Sequence, residues 1–379
     1  MTIVDRYLAR LYLKTLAVVF FGFFGLFVVI DGFNNLEEFL SNGKRHAWGT
    51  LGVLVTYYGP RMLWLFDYTA GILAMVSASF VLTWVQRTNE MTALVAAGIS
   101  PARIMRSVLV ASIGVALLGA ANREFGLPRV RNVLTSNAQD LGGNTPRKCT
   151  PRYDLRTDIL IGGKETYAMA KRIAEPLFRL PPEFAPWGRQ IAAANAVFQP
   201  ATADHPAGYL LTQVHLPSNH GGLPSQTLDE RPVLFSPKDA AWLKSDECFV
   251  ASIVSFEQLS GTGTWRQLLS TWELIAGLRA QTIEPGADVR IALHTRFVQP
   301  LLDLSLVLVA LPLVLGRGSR NILGAALLGG LLITTLLIVV LTCRALGANY
   351  VLRSTTLAAW LPLLIFGPLG YAAARPLWD

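Results

Sequence analysis

Charge is scarce in this chain. Asp, Glu, Lys and Arg make up 15% of its 379 residues, against about 25% in soluble globular domains. The shortage is concentrated toward the two ends, which argues for membrane spans rather than one large soluble core. Cysteine is scarce too: Cys149, Cys248 and Cys343 include no CxxC pair, which excludes the usual zinc and dithiol arrangements. The formal charge is +8. No run of five basic residues carries it, so the excess lies in short loops between apolar segments and does not point to nucleic acid.

Catalytic and nucleotide motifs are missing as well. "LIGGKET" holds a Gly-Gly-Lys but lacks the first glycine of a GxxxxGK[ST] loop, so the chain is not expected to bind ATP itself. It has no HExxH, GxSxG or EF-hand loop. The five histidines are scattered; His215 and His220, in a Pro/Asn/Gly loop, are the closest pair and make a poor metal site. Neither a cofactor nor a resident metal is expected, and no nucleophile, base or metal supports an enzyme.

What the chain does have is long apolar runs. A hydrocarbon core of ~30 Å needs roughly 20 apolar residues per helix. Candidate spans are Thr15 to about Leu36, a segment within Leu51 to Val85, Ile104 to about Ala121, Phe297 to Leu315, Ile322 to Thr342 and Leu357 to Ala374. The order is three spans, a long hydrophilic middle, then three spans. The basic start "MTIVDRYLARLYLK" precedes an apolar stretch through Ile30, too long for a signal-peptide core and without a small-residue cleavage site, so it reads as a first span.

Short-loop Lys and Arg set the orientation. With the N-terminus inside, the cytoplasmic pieces carry Arg6, Arg10, Lys14, Arg87, Arg103, Arg106, Arg317, Arg320 and Arg375 against Asp5, Glu90 and Asp379. The other side has Lys44, Arg45, Arg344 and Arg353, opposed by Glu37 and Glu38. Both termini are therefore expected in the cytoplasm and the middle outside.

The expected division is 1–122, a membrane half; 123–293, the external domain; and 294–379, the second membrane half. In the middle, "TDILIGG", "ETYAMAKRI", "RQIAAANAVFQP", "GYLLTQVHL", "RPVLFS" and "CFVASIVSFEQL" are short runs between Gly, Pro or Asn turns, which suggests a sandwich or curled antiparallel sheet. "TWRQLLSTWELIAGLRAQ" then turns helical, with Leu268, Leu269, Trp272, Ile275 and Leu278 on one face. Outside the cell Cys149 and Cys248 could form a disulfide or remain thiols; spacing leaves both open. Cys343 reads as packing.

Charges in lipid are costly and usually face a partner or a cavity. Asp31, Arg61, Asp67 and Asp303 lie in spans, and Arg123 and Glu124 at the outer edge of the third. Asp31 and Asp303 are candidates for a substrate path, with pairing or snorkelling as the alternative. The small residues of "GAALLGGLL" in the fifth span allow close helix packing.

Between spans two and three the chain reads "RTNEMTALVAAGISPARIMRS". Thr88 or Asn89 can cap a helix whose first turn holds Glu90, and Gly98 can end it in a left-handed conformation. Ser100-Pro101 then starts the next helix as N-cap and first residue. The expected product is a rigid helix of about nine residues, within 88–98, with Met91, Leu94 and Val95 on its apolar face. Physical chemistry alone leaves two uses open: a helix resting on headgroups, or one that receives force from a separate ATPase.

Several stretches are similar to one family. "VDRYLARLYLKTL" resembles the start of the lipopolysaccharide-transport permeases, the LptF/LptG (YjgP/YjgQ) family. "RTNEMTALVAAGIS" resembles their coupling helix, "NREFGLPRVR" the exit of their third span, and "RFVQPLLDLSLVLVALPLVL" their fourth span. Asn89 is an extra polar residue before Glu90, and Asp31 stands where some relatives carry lysine. The resemblance implies an α-helical inner-membrane protein of six transmembrane helices in two groups of three, with an inserted periplasmic β-jellyroll-like domain. It implies a permease subunit partnered by a cytoplasmic ABC ATPase dimer, a second homologous permease and periplasmic bridge proteins, moving lipopolysaccharide. On it, Arg87, Glu90, Leu94 and Gly98 form the ATPase-coupling segment. Arg123, Arg129 and Arg131 are placed to meet lipid A phosphates, joining Asp31 and Asp303 on the substrate path. A non-transporting membrane scaffold displaying a β domain is the rival reading.

Overall fold

The computed structural model describes residues 3–44, 48–135, 145–202, 205–260, 263–280, 282–283, 286–315, 322–349 and 354–374. The chain forms two compact units, one of residues Met1–Val130 with Pro285–Asp379, the other Arg131–Glu284.

Six helices of the first unit are long and apolar enough to cross a membrane. In chain order its helices are α1 (Ile3–Asn34), α2 (Leu36–Gly43), α3 (Gly49–Arg87), α4 (Glu90–Ala96), α5 (Pro101–Ala121) and α6 (Leu127–Leu134, which runs on into the second unit). After the sheet come α9 (Ala287–Leu315), α10 (Ile322–Ala348) and α11 (Thr355–Ala374). The helices overrun the apolar runs because helix propensity continues past the hydrocarbon edge: α1 begins twelve residues before Thr15, and α3 extends for 39 residues straight through Pro60. A proline inside a helix removes a backbone donor. In the turn around Pro60, Arg61 folds back and donates to the Tyr57 carbonyl at 3.0 Å, which gives this span charge a backbone partner.

The unit's apolar core gathers Leu8 and Tyr12 of α1, Ala74 to Val85 of α3, Ile104 to Val115 of α5, and Val298 to Leu311 of α9. Close approach depends on small residues. A side chain at Gly71 of α3 would collide with the Asp303 carboxylate of α9, and Gly370 of α11 lies against the backbone of Ser305. In α10, Gly347 closely approaches Ala358 of α11, but Gly329 and Gly330 of the small-residue stretch depart from the expected close packing. Only the end of Met75 lies near Gly329, and Gly330 faces open space. Between α5 and α6 the helix widens into a π-turn, Asn122–Gly126. There the Asn122 side chain leaves its own helix to donate to the Leu63 carbonyl of α3 at 2.9 Å, an insertion that widens a turn.

The second unit is built on an antiparallel sheet, with eleven strands among the described residues. They are β1 (Arg147–Lys148), β2 (Arg152–Tyr153), β3 (Leu160–Gly162), β4 (Glu165–Tyr167), β5 (Arg172–Ala174), β6 (Leu177–Arg179), β7 (Gln190–Gln199), β8 (Gly208–Leu216), β9 (Gln226–Leu228), β10 (Arg231–Phe235) and β11 (Glu247–Ala251). The main path runs β1-β4-β5-β7-β8-β11-β10-β9, and β2-β3-β6 branches from β7. β7 can serve both arms because it is ten residues long: Ala192 to Gln190 face β6, Asn195 to Val197 face β5. A register shift at Ala192/Ala193 against β8 marks a bulge that bends the strand.

β11 is buried throughout. Cys248 and Val250 face the main core with Ile161, Phe178 and Tyr209, while Phe249 and Ala251 face a second cluster with Leu243 and Ala240. Two expectations are corrected. "SFEQL" is a helical turn, α7 (Phe256–Ser260), not strand. The later helical stretch breaks at Ser270, which with Glu273 forms a capping box for α8 (Thr271–Arg279). That break resets the helix phase, so Leu274 is buried in place of Trp272, which is 73% exposed.

Cys149 and Cys248 are free thiols. Both are buried in the sheet core, where exclusion of water pushes Cys149 up to about 11 and Cys248 to about 12. Asp154, fully buried, ties the β2–β3 turn to the end of β11. It accepts from the Arg156 and Thr157 amides at 2.9 and 3.2 Å, the Ser252 hydroxyl at 2.6 Å and the Ile253 amide at 2.9 Å. Asp154→Ala leaves these donors unpaired and is expected to cost about 3 kcal/mol. Hydrogen exchange of β3 and β11 amides in the full-length protein reads it out; unchanged protection would show that the clamp carries no stability.

Candidate functional site

The connection from α3 to α5 is a sequence of backbone closures. Thr88 ends α3, its hydroxyl donating to the Trp84 carbonyl at 3.0 Å. Asn89 takes a left-handed conformation, φ 60°, and serves as N-cap of α4 through backbone position alone, with no side-chain cap bond. Asparagine tolerates that region better than most residues. The extra polar residue is thus the pivot that reverses the chain. Nine residues after Asn89 the helix closes with Gly98 at φ +81°. The Gly98 amide donates to Val95 and the Ile99 amide to Leu94, both at 3.0 Å, the paired bonds of a Schellman motif. Ser100 then caps α5, with Pro101 at its first turn.

Side chains fix α4 to its surroundings. Met91, Leu94 and Ile99 pack against the membrane-unit core, whereas Val95 is 47% exposed. Thr92, Ala93 and Ala96 are exposed beside it. Tyr7 of α1 donates to the Glu90 carboxylate at 2.9 Å, and Ser107 of α5 donates to Asp5 at 2.7 Å. Deeper in, the Tyr12 hydroxyl donates to the Ala74 carbonyl at 3.2 Å and receives a bond from Ser112, also 3.2 Å. The first turns of α1 therefore hold α3, α4 and α5 together. Sequence reading missed this role for Asp5, Tyr7 and Tyr12. The signal was the inward face at Leu8, Tyr12 and Thr15, spaced four and three apart.

Arg87 ends α3 and lines an apolar groove between α3 and α10. Of the segment read as coupling, Glu90, Leu94 and Gly98 sit together on α4 and its closure, while Arg87 turns to this groove.

The five residues expected on a substrate path do not form one site. Asp31 accepts from Tyr58 at 2.8 Å and from Asn35 at 3.3 Å. Arg123 is engaged with Asp67 through two nitrogens, at 3.0 and 3.2 Å. Arg129 lies exposed, donating to the Phe125 carbonyl of its own helix at 2.6 Å. Arg131 belongs to the other compact unit, where it pairs with Glu273 at 2.9 Å. Asp303 is 8% exposed, takes a bond from Gln299 at 2.9 Å and lies within electrostatic reach of Asp67 and Arg123. Glu124 adds a contact to Arg296 at 3.8 Å. Among the predicted path residues, only Arg123 and Asp303 are thus brought together, around Asp67.

The partnership of Asp67 was within reach of sequence. Twenty residues separate Asp67 from Arg87, and twenty separate Arg103 from Arg123. At 1.5 Å per residue each distance is about 30 Å, so opposite charges on antiparallel neighbours arrive at the same depth.

These features define a multi-pass helical membrane protein with an antiparallel β-sheet region between its spans. The chain belongs to the family described as lipopolysaccharide export system permease LptF/LptG, whose model matches residues 6–172 and 216–375. The interval left out begins in β5 and ends in β8. No individual curated protein matches the chain significantly. Members of this family are permease subunits, not ATPases, which makes this a multi-pass inner-membrane protein of lipopolysaccharide export.

Side chains of Arg123 and Asp67 are 19% and 16% exposed, so removing one partner strands a partly buried charge. Arg123→Gln or Asp67→Asn alone is expected to destabilise the membrane unit by about 2–3 kcal/mol, and the double variant by clearly less than the sum. Thermal unfolding in detergent measures it; simple additivity would show that the pair does not couple.

Proposed function

We propose that the chain is one permease of an ABC-type complex that extracts lipopolysaccharide from the outer leaflet of the inner membrane toward a periplasmic bridge. The observation that carries this reading is α4, a short helix closed at both ends and pinned by its inner face, with a small-residue outer face left exposed. A helix held this way moves as one piece with α3 and α5 when pushed. Glu90 and the exposed turn of Thr92, Ala93, Val95 and Ala96 offer the contact to one subunit of a cytoplasmic ATPase dimer. Leu94 anchors the helix to the core, Gly98 makes the tight exit, and Arg87 stands at its entrance.

The short-loop charge bias puts α4 and both termini in the cytoplasm and residues ~123–293 in the periplasm. There the curled sheet serves as a jellyroll-like receiver for the glycolipid, in line with bridge proteins, and a second homologous permease completes the membrane path. Arg129, exposed at the exit of the third span, is the guanidinium best placed for a lipid A phosphate, since such contacts can be bidentate. Asp31, Arg123, Arg131 and Asp303 hold the path's walls in register through their pairs.

Reversing the charge at the contact tests the reading. In co-purification from membranes, Glu90→Arg is expected to lower ATPase recovery about tenfold, the loss of roughly one charge-assisted contact. Tyr7→Phe, which removes only the internal hydrogen bond, should leave recovery near wild type. Unchanged recovery with Glu90→Arg would overturn the docking assignment.

A further inference from the structure

The second unit holds a small polar cavity that the proposed transport does not use. It encloses about 20 Å³ and is lined by Arg152 of β2, Gln258 of α7, Trp265 and Arg266 of the 3₁₀ turn Gly263–Leu268, and Thr282 beyond α8. That is room for about one water-sized particle, which needs roughly 10–15 Å³. Two donors of this wall are unmet: Nε of Arg152 and Nε1 of Trp265 are buried and have no hydrogen-bond partner among the described residues. Trp265 is 8% exposed, and leaving a buried N–H unmet is costly. The wall has little to offer them. Gln258 accepts from the Ser255 amide at 3.2 Å and donates to the Thr282 carbonyl at 2.8 Å, while the Thr282 hydroxyl donates to the Gly277 carbonyl at 3.2 Å. Among the described residues no carboxylate lines the cavity. Asp154, two residues beyond Arg152, is taken up by the four donors of its own clamp, and Glu257 pairs with Lys171 at 3.5 Å.

We infer that this cavity is a site for one monatomic anion, chloride in solution, held by the N–H groups of Arg152 and Trp265. The polarity of the unmet atoms decides the ligand. A water molecule could accept from both donors, but buried waters make about three bonds and need acceptors for their own hydrogens. An anion needs donors alone. The Arg152 side chain has no ion-pair partner among the described residues and stays charged, so a halide also offsets its charge. A carboxylate or phosphate group is too large to enter a space of this size whole. The bound ion ties β2 to the 3₁₀ turn that leads into α8, two segments of the second unit whose donors are otherwise stranded.

The test uses the full-length protein in detergent, with sodium gluconate replaced stepwise by sodium chloride at constant ionic strength. An ion that binds only the folded state stabilises it in proportion to its occupancy, so hydrogen exchange in β2 and the 3₁₀ turn is expected to slow and then saturate. Bromide should replace chloride, and sulfate should not. Trp265→Phe removes the indole donor and Arg152→Gln the charge; each is expected to weaken the apparent chloride affinity about tenfold. Trp272→Phe, at an exposed tryptophan outside the cavity, should leave it unchanged. Equal protection by sulfate, or an unchanged chloride response in both cavity variants, would overturn the inference. Where a variant fails to fold, anomalous scattering from wild-type crystals grown in bromide decides. A peak in the cavity is expected; density without anomalous signal would make it a hydration site, and a peak without halide-dependent protection an adventitious ion only, and either result overturns the assignment.

Discussion

A chain that leaves the membrane between two spans must turn twice without stranding its backbone amides and carbonyls, and this constraint shapes the connection from α3 to α5. Few solutions exist within a dozen residues. The one here uses a left-handed asparagine to reverse the chain, one helix of seven residues, and a left-handed glycine to reverse it again. Each reversal pairs the orphan groups of a helix end. The segment is stiff for this reason, and stiffness is what lets a small surface helix carry displacement into the spans on either side.

That stiffness would be useless if α4 were not joined to the helices that move. The joining comes from α1. Tyr7 holds α4, Asp5 holds α5, and Tyr12 reaches both α3 and α5 through a short hydrogen-bond chain. The two Tyr12 bonds are buried, away from competing water, and leaving a buried polar group unmet is costly. At the far end of the same helices, about 30 Å away, the Asp67–Arg123 pair and the Glu124–Arg296 contact tie α3, the π-turn and α9. The core between these two polar belts is apolar and packed through small residues such as Ala74 and Ala78.

Much of this was legible in the chain itself. The six spans follow from apolar length, and the ends of α4 and α5 from Gly98, Ser100 and Pro101, because those residues have narrow conformational uses. Strand positions in the middle were visible from turn residues around β-branched runs. What was hidden depended on tertiary contact. Asp31, Arg123 and Arg131 read as candidate ligands because a sequence shows a charge but not the tyrosine, aspartate or glutamate that meets it. Trp272 read as core because Ser270 was not recognised as a cap that resets the helical phase. The thiols of Cys149 and Cys248 could not be sorted by spacing, since pairing needs a geometry that no spacing encodes.

The central claim is that α4 lies where a cytoplasmic motor can reach it. Thr92→Cys, on its exposed face, measures this directly through labelling with a membrane-impermeant maleimide. The account predicts no labelling in intact spheroplasts and full labelling once the inner membrane is opened. Labelling from outside in intact spheroplasts would place α4 in the periplasm, beyond any nucleotide-driven partner, and would contradict the account.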